Sequence, residues 1–188
     1  SFSILGLIIT SPFFAVIAVI IKCTDKGPVF YRQNRLTQDG RVFSICKFRT
    51  MVQDAEKDTG ARLASDNDDR VLPVGKFLRR TRLDELPQLW NILKGEMSVV
   101  GPRPERPELA EKIEEEIPEF HYRLKVKAGL TGFAQIYGKY NTSSYDKLKL
   151  DLSYIRKYSV FLDLKLIILT PKIMFMKEST EGVKEDDR

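Results

Sequence analysis

The feature that most narrows what this chain can become is its opening stretch. Phe2 to Ile21 reads FSILGLIITSPFFAVIAVII, and no charge occurs until Lys22. Twenty helical residues span about 30 Å, the thickness of a bilayer's hydrocarbon core. A signal peptide would need a basic n-region and a small-x-small cleavage site, and neither is visible. Ser11-Pro12 at the midpoint opposes a straight crossing helix. Pro12 lacks an N–H and its ring crowds the carbonyl of Ile8, so a break is predicted there. Ser11 can return a hydrogen bond to a freed carbonyl, which a membrane setting favours. Such a helix either kinks and crosses or bends and leaves by the face it entered, and these residues leave both open. A buried helix of a soluble core is the third alternative, although few soluble domains begin with twenty uncharged residues.

Lys22, Lys26, Arg32 and Arg35 follow at once, which favours the cytoplasmic side of a membrane and suits anionic headgroups. The 188 residues are most simply one domain with its own core, and no repeat or interdomain linker interrupts them. A net charge of +5 points to an anionic partner. Interleaved Asp and Glu leave no uniformly basic segment, which argues against nucleic acid. Cys23 and Cys46 have the spacing of neither a disulfide framework nor a zinc site, so a reducing compartment is expected. His121 is the only histidine, which excludes a histidine cluster.

Further along, Gly27-Pro28 punctuates and Val29–Tyr31 reads as a short strand. Asp39-Gly40 is a turn signal, and 42–48 alternates as a second strand, so a hairpin is expected to present Lys47-Phe48-Arg49-Thr50-Met51 at its end. Residues 52–76 are polar, with a short helix expected near 52–58. Asp66-Asn67-Asp68-Asp69 lacks the glycine and closing glutamate of a calcium loop. Helices are predicted over 74–82, over 84–94 with Gly95 as a stop, over 108–117 with Pro118 as a stop, and over 145–158. If Asp84 opens the second of these, the helix dipole favours its ionised form. Phe120, Tyr122, Leu124 and Val126 alternate with polar residues, which predicts an extended segment. Residues 161–176 suit a helix lying on a membrane surface, or equally a buried terminal helix.

The chemistry concentrates in Leu78-Arg79-Arg80-Thr81-Arg82-Leu83-Asp84-Glu85-Leu86-Pro87-Gln88 and in Gly101-Pro102-Arg103-Pro104. Arginine offers a planar fork of donors that matches phosphate oxygens two at a time. A carboxylate can hold a divalent cation or attack phosphorus. Prolines on both sides of Arg103 lower the entropic cost of aiming it. Taken alone, such a charge run reads as a solvated, salt-bridged turn.

In company it reads otherwise. The central Ser11-Pro12, Gly-Pro-Val-Phe (27–30), Lys-Phe-Arg-Thr-Met (47–51), the arginine and Asp-Glu run (78–88), Trp-Asn-Ile-Leu-Lys-Gly-Glu-Met-Ser (90–98), Gly-Pro-Arg-Pro (101–104) and Val-Lys-Ala-Gly-Leu-Thr-Gly (126–132) occur in order. In this the chain resembles the monotopic polyprenyl-phosphate phosphoglycosyl transferases, bacterial sugar transferases that begin glycan assembly on a lipid carrier. The resemblance implies an α+β, mainly helical single domain over residues 1–188. It would have a re-entrant membrane helix (1–22) broken at Ser11 and Pro12, a catalytic part (23–176) with a short β-hairpin and interfacial amphipathic helices, and a charged tail (177–188).

It also implies a bacterial inner-membrane protein at the cytoplasmic face, with a UDP-sugar, polyprenyl phosphate and membrane lipid as partners. A homo-oligomer is left open, and the sugar is not specified. Asp84 is the implied nucleophile and metal ligand, Glu85 its assistant, and Mg²⁺ the cofactor. Arg79, Arg103, Lys47 and Arg49 are the expected phosphate-binding residues. A catalytically silent scaffold of the same fold is the alternative. Two departures stand out: Ala128 replaces a proline usual before Gly129, and Thr37 replaces a glycine usual nearby. Basic and acidic residues usual ahead of the apolar segment are missing, so a trimmed start is expected.

Overall fold

The computed structural model describes residues 2–53, 55, 68–138 and 142–174. Its first element, α1 (Phe2–Thr24), is the one described helix long and apolar enough to cross a membrane. The break expected at Ser11 and Pro12 does not appear as a change of secondary structure, because the helix continues through both residues. The local hydrogen bonds give the reason. Pro12 cannot donate to the Ile8 carbonyl, and the Ser11 hydroxyl donates to that oxygen instead, at 2.8 Å. One side of α1 packs on the rest of the protein, with Ile17 and Ile21 buried against Phe48 and Leu78. Ile8, Phe13, Val16 and Val19 remain exposed.

The hairpin forms as anticipated. Strand β1 (Phe30–Leu36) pairs antiparallel with β2 (Val42–Phe48), in a register from Phe30 opposite Phe48 to Leu36 opposite Val42. Asp39 and Gly40 carry the positive φ that the turn requires. Helix α2 (Pro73–Arg80) follows, and then α3 (Gln88–Leu93). The single helix predicted over 84–94 is in fact two elements, a 3₁₀ turn at Leu83–Glu85 and α3. Pro87 has no N–H to carry the ladder on from the 3₁₀ turn, and α3 starts afresh with Pro87 at its N-cap. The dipole of α3 therefore does not begin at Asp84.

A second sheet was not foreseen. Strand β3 (Ser98–Val100) runs parallel to β4 (Gly129–Thr131), pairing Ser98 with Gly129 and Val100 with Thr131. A Cβ on Gly101 or Gly129 would collide with the other strand's backbone, so this crossing requires glycine in both. Between the strands lie α4 (Pro107–Glu116) and a 3₁₀ run, Pro118–Lys125. The extended segment expected at 120–126 is corrected by that run. Phe120 and Arg123, three residues apart, are buried while Tyr122 is exposed, which is the threefold period of a 3₁₀ turn rather than the alternation of a strand. Three further helices follow among the described residues: α5 (Phe133–Tyr137), α6 (Ser144–Arg156) and α7 (Val160–Met174). Leu166 of α7 is buried, whereas Val160, Phe161, Leu164 and Ile168 are exposed. Most of the helix expected over 52–58 and the whole 177–188 tail lie outside the described residues.

Side chains from the quoted motifs join these pieces. The buried Asn91 amide accepts from the Cys46 N–H at 3.0 Å and donates to the Ser44 carbonyl at 2.9 Å, completing the outer edge of β2. The two departures from the family pattern turn out to be partners. The buried Ala128 N–H donates to the Thr37 hydroxyl at 3.2 Å, and that hydroxyl donates to the Glu96 carbonyl at 2.8 Å. A proline at 128 would carry no N–H and need no acceptor, so a glycine at 37 would suffice. Thr37→Val leaves the Ala128 donor and the Glu96 acceptor without a side-chain partner. It is expected to destabilise the fold by about 1–3 kcal/mol. Denaturant unfolding checks this, and an unchanged midpoint would contradict it.

Candidate active site

Three separate stretches converge on one carboxylate pair. Helix α2 ends at Arg80, and Arg82 then adopts a left-handed conformation (φ 53°, ψ 18°). A non-glycine residue seldom does so, and such strain collects at functional sites. The reversal turns the 3₁₀ segment inward, so that Asp84 and Glu85 are both buried. Lys47 arrives from β2, one residue before the core residue Phe48. Arg103 arrives from the Pro-Arg-Pro loop that follows β3.

Glu85 takes both direct ion pairs. Lys47 Nζ donates to its Oε1 at 3.0 Å, and Arg103 Nη2 donates to the same oxygen at 2.7 Å. Burial alone would push the Glu85 carboxyl up, but Arg103 and Lys47 outweigh it and hold the group well below the usual carboxylate range. Glu85 in turn strengthens the hold of Arg103 on its proton. Asp84 differs. Neither of those ion pairs reaches it, and burial pushes its carboxyl up to about 6, with Lys47 pulling the other way and Glu85 adding to the rise. Adjacent carboxylates are thereby divided, one held toward its ionised form by two cations, the other buried and outside both of those ion pairs. The Arg103 side chain keeps 43% of its surface exposed, so it can meet a ligand while it holds Glu85.

Arg79 stands on the same side. Its Nε donates to the Thr50 hydroxyl at 2.9 Å, and Asp84 is among the charges that act on it. Arg49 does not join the cluster. It is buried, paired with the Asp25 carboxylate, and donates to the Asp25 and Pro28 carbonyls. A Cβ on Gly27 would meet this guanidinium, which ties the Gly-Pro-Val-Phe motif to the Lys-Phe-Arg-Thr-Met motif. In the latter motif, then, Lys47 serves Glu85, Phe48 the core, Arg49 the exit of α1 and Thr50 the orientation of Arg79. Ser11 and Pro12 are exposed on α1.

Three contributors escaped the sequence reading. Arg82 was quoted only as part of a charge run, and nothing in sequence betrays a left-handed residue that is not glycine. Arg123 and Asp151 form a buried pair behind Arg103 (2.7 Å). Asp151 was detectable, since it lies on the stripe made by Leu148, Leu152 and Ile155, where a solvated charge does not belong.

No group of three or more His, Cys, Asp and Glu side chains converges among the described residues, so no all-protein metal cage exists there. Asp84, a buried carboxylate with no direct ion pair among the described residues, could nonetheless contribute one ligand to Mg²⁺. That ion is commonly held by one or two carboxylates plus substrate oxygens.

Comparison with known proteins gives a consistent picture. A family model described as bacterial sugar transferase matches residues 1–177. The UDP-glucose:undecaprenyl-phosphate glucose-1-phosphate transferase of Klebsiella pneumoniae is 47% identical over 182 residues, which is 94% of this chain and 39% of that protein. The UDP-N-acetylgalactosamine-undecaprenyl-phosphate N-acetylgalactosaminephosphotransferase of Aeromonas hydrophila is 40% identical, over 89% of this chain and 40% of that protein. The exopolysaccharide production protein ExoY of Rhizobium meliloti is 37% identical, over 88% of this chain and 78% of that protein. The chain thus spans about two-fifths of the length of the first two and most of the third.

Proposed function

The chain belongs to the bacterial sugar transferase family, and on that premise we propose that it transfers a phosphosugar from a UDP-sugar to undecaprenyl phosphate. The observation that carries this reading is the divided carboxylate pair. Glu85 is neutralised by Lys47 and Arg103, and Asp84 beside it is left to face a substrate. In the first step an Asp84 oxygen attacks the phosphorus that bears the sugar. The bond from that phosphorus to the UMP oxygen breaks, and UMP leaves with the electron pair. In the second step an oxygen of the polyprenyl phosphate attacks the same phosphorus. Asp84 departs as the free carboxylate it was, and the product is a polyprenyl-diphosphate sugar.

A carboxylate approaching a diphosphate meets strong repulsion, so the site needs fixed cations. Arg79, Arg103 and Lys47 supply them. Glu85, already engaged by two of these groups, acts as their anchor rather than as a proton carrier. Mg²⁺, bound by Asp84 and diphosphate oxygens, would offset the remaining negative charge.

Membrane attachment follows from α1, read as re-entrant from the cytoplasmic face. Its support is that both halves of α1 rest on the same body of protein. Gly6 packs toward Leu89 of α3, and Phe14, Ile17 and Ile21 pack on Phe48 and Leu78. Fifteen helical residues separate positions 6 and 21, about 22 Å of rise, so a helix bound for the far leaflet would carry Gly6 away from the catalytic part. The exposed apolar residues of α7, with Phe77 and Trp90, suit the headgroup boundary. There the lipid phosphate and a soluble nucleotide sugar can meet.

The test is UMP release by the purified chain in lipid nanodiscs with undecaprenyl phosphate, Mg²⁺ and a panel of UDP-sugars. Release is expected with at least one of them, and release with none would overturn the reading. The acid limb of that activity reports Asp84, which must be ionised to attack. Rate should fall as pH drops through about 6. Raising Mg²⁺ favours the ionised form and should move the limb to lower pH. An acid limb that ignores Mg²⁺ would remove Asp84 from the metal's coordination.

A further inference from the structure

The pair formed by Arg123 and Asp151 lies outside the carboxylate site, is almost wholly buried, and touches the loop that aims Arg103. Arg123 Nε donates to Asp151 Oδ2 at 3.0 Å, and its Nη2 is ion-paired with the same oxygen at 2.7 Å. The same Nη2 donates to the Arg103 carbonyl at 2.9 Å. From the other side, Arg35 Nη1 donates to the Pro104 carbonyl at 3.1 Å. The two consecutive carbonyls at the tip of the Pro-Arg-Pro loop are thus each held by a guanidinium, one from the 3₁₀ run and one from β1. Glu105 lies between the two clamps, 3.7 Å from Arg35 and 3.9 Å from Arg123.

A buried ion pair contributes little net stability, since desolvation consumes most of the Coulombic gain. Burial indeed pushes the Asp151 carboxyl up despite Arg123. What such a pair supplies is a fixed direction. The Arg123 fork lies over the Phe120 ring at 4.8 Å and is paired with Asp151 through Nε and Nη2, and that Nη2 also donates to the Arg103 carbonyl. We propose that Arg123, oriented by Asp151, is a positioning residue for the transfer reaction: it fixes the main chain at Arg103 so that the Arg103 side chain stays on Glu85 and faces the phosphate. This rests on the function proposed above only in taking phosphate as what Arg103 meets.

The test is a double-mutant cycle in the full chain in nanodiscs. Asp151→Asn keeps the shape and an acceptor, so it tests orientation without emptying the core. It should lower kcat for UMP release by about 10–100-fold, the cost of a slightly misplaced catalytic group, with little change in KM. In an Arg103→Ala background the same substitution should cost almost nothing more, because its effect passes through Arg103. A full, additive loss in that background would overturn the proposal and leave the pair a structural one. Amide exchange across the 101–106 loop is a second readout, independent of activity. It should quicken in Asp151→Asn with α1 and β2 unchanged, and unchanged exchange in the loop would equally overturn the proposal. Should wild type release no UMP from any UDP-sugar, the function proposed above falls, and the exchange comparison still decides the clamp.

Discussion

Asp84→Asn is expected to abolish UMP release, with a fall on the order of 10⁴–10⁶-fold, the scale on which loss of a covalent nucleophile is felt. The substitution is nearly isosteric, and neither ion pair on Glu85 involves the altered group. Fold and metal-independent nucleotide binding should therefore persist. Stability should even rise slightly at neutral pH. A carboxyl whose folded-state value is raised, as that of Asp84 is, destabilises the fold wherever it must be ionised, and an amide carries no such cost. Loss of activity alongside an unchanged or higher unfolding midpoint separates a lost nucleophile from a damaged protein. Full activity in the variant would reject the assignment.

Arg103→Ala ranks second. This guanidinium is one of the two direct cationic partners of Glu85 and is half-exposed, and in the proposed function it also meets the phosphate. Its removal should cost about 10²–10³-fold in kcat, as for one preorganised donor at a charged transition state. Glu85 would remain buried with Lys47 alone, so its carboxyl should titrate higher than in wild type. Arg103→Lys keeps the charge but not the fork, and should recover only part of the loss. Steady-state kinetics on the two variants check this, and equal activity of Lys and Arg at 103 would mean that geometry at this position is unimportant.

Legibility of the molecule in its sequence followed the range of the interactions involved. The hairpin was readable because Asp39-Gly40 and the alternation over 42–48 are local signals. The convergence of Lys47 and Arg103 on Glu85 spans 38 and 18 residues, and no spacing rule foretells it. Their membership in one site is implied by the resemblance, whereas the preference of both for Glu85 over Asp84 is visible only in the folded structure. Arg49 illustrates the opposite case. In sequence it is one more cation near Lys47, and strand alternation alone would put the two on one face, but β2 ends at Phe48 and Arg49 turns to Asp25 instead. The 118–125 stretch misled because four apolar residues alternated, while Pro118 and the burial of Phe120 with Arg123 imposed a 3₁₀ period. The parallel pairing of β3 with β4 rests on strands of three residues each, too short to carry a periodic signal.

The central claim is that the phosphosugar rests for a time on Asp84. Incubating the chain with a UDP-sugar labelled in the sugar and in its attached phosphate, with Mg²⁺ but no lipid acceptor, tests it directly. The account predicts about one equivalent of both labels on the protein, mapped to the peptide containing Asp84 and discharged when undecaprenyl phosphate is added. Product formation with UMP released only when both substrates are present, and no label on the protein at any time, would contradict it and point to direct displacement.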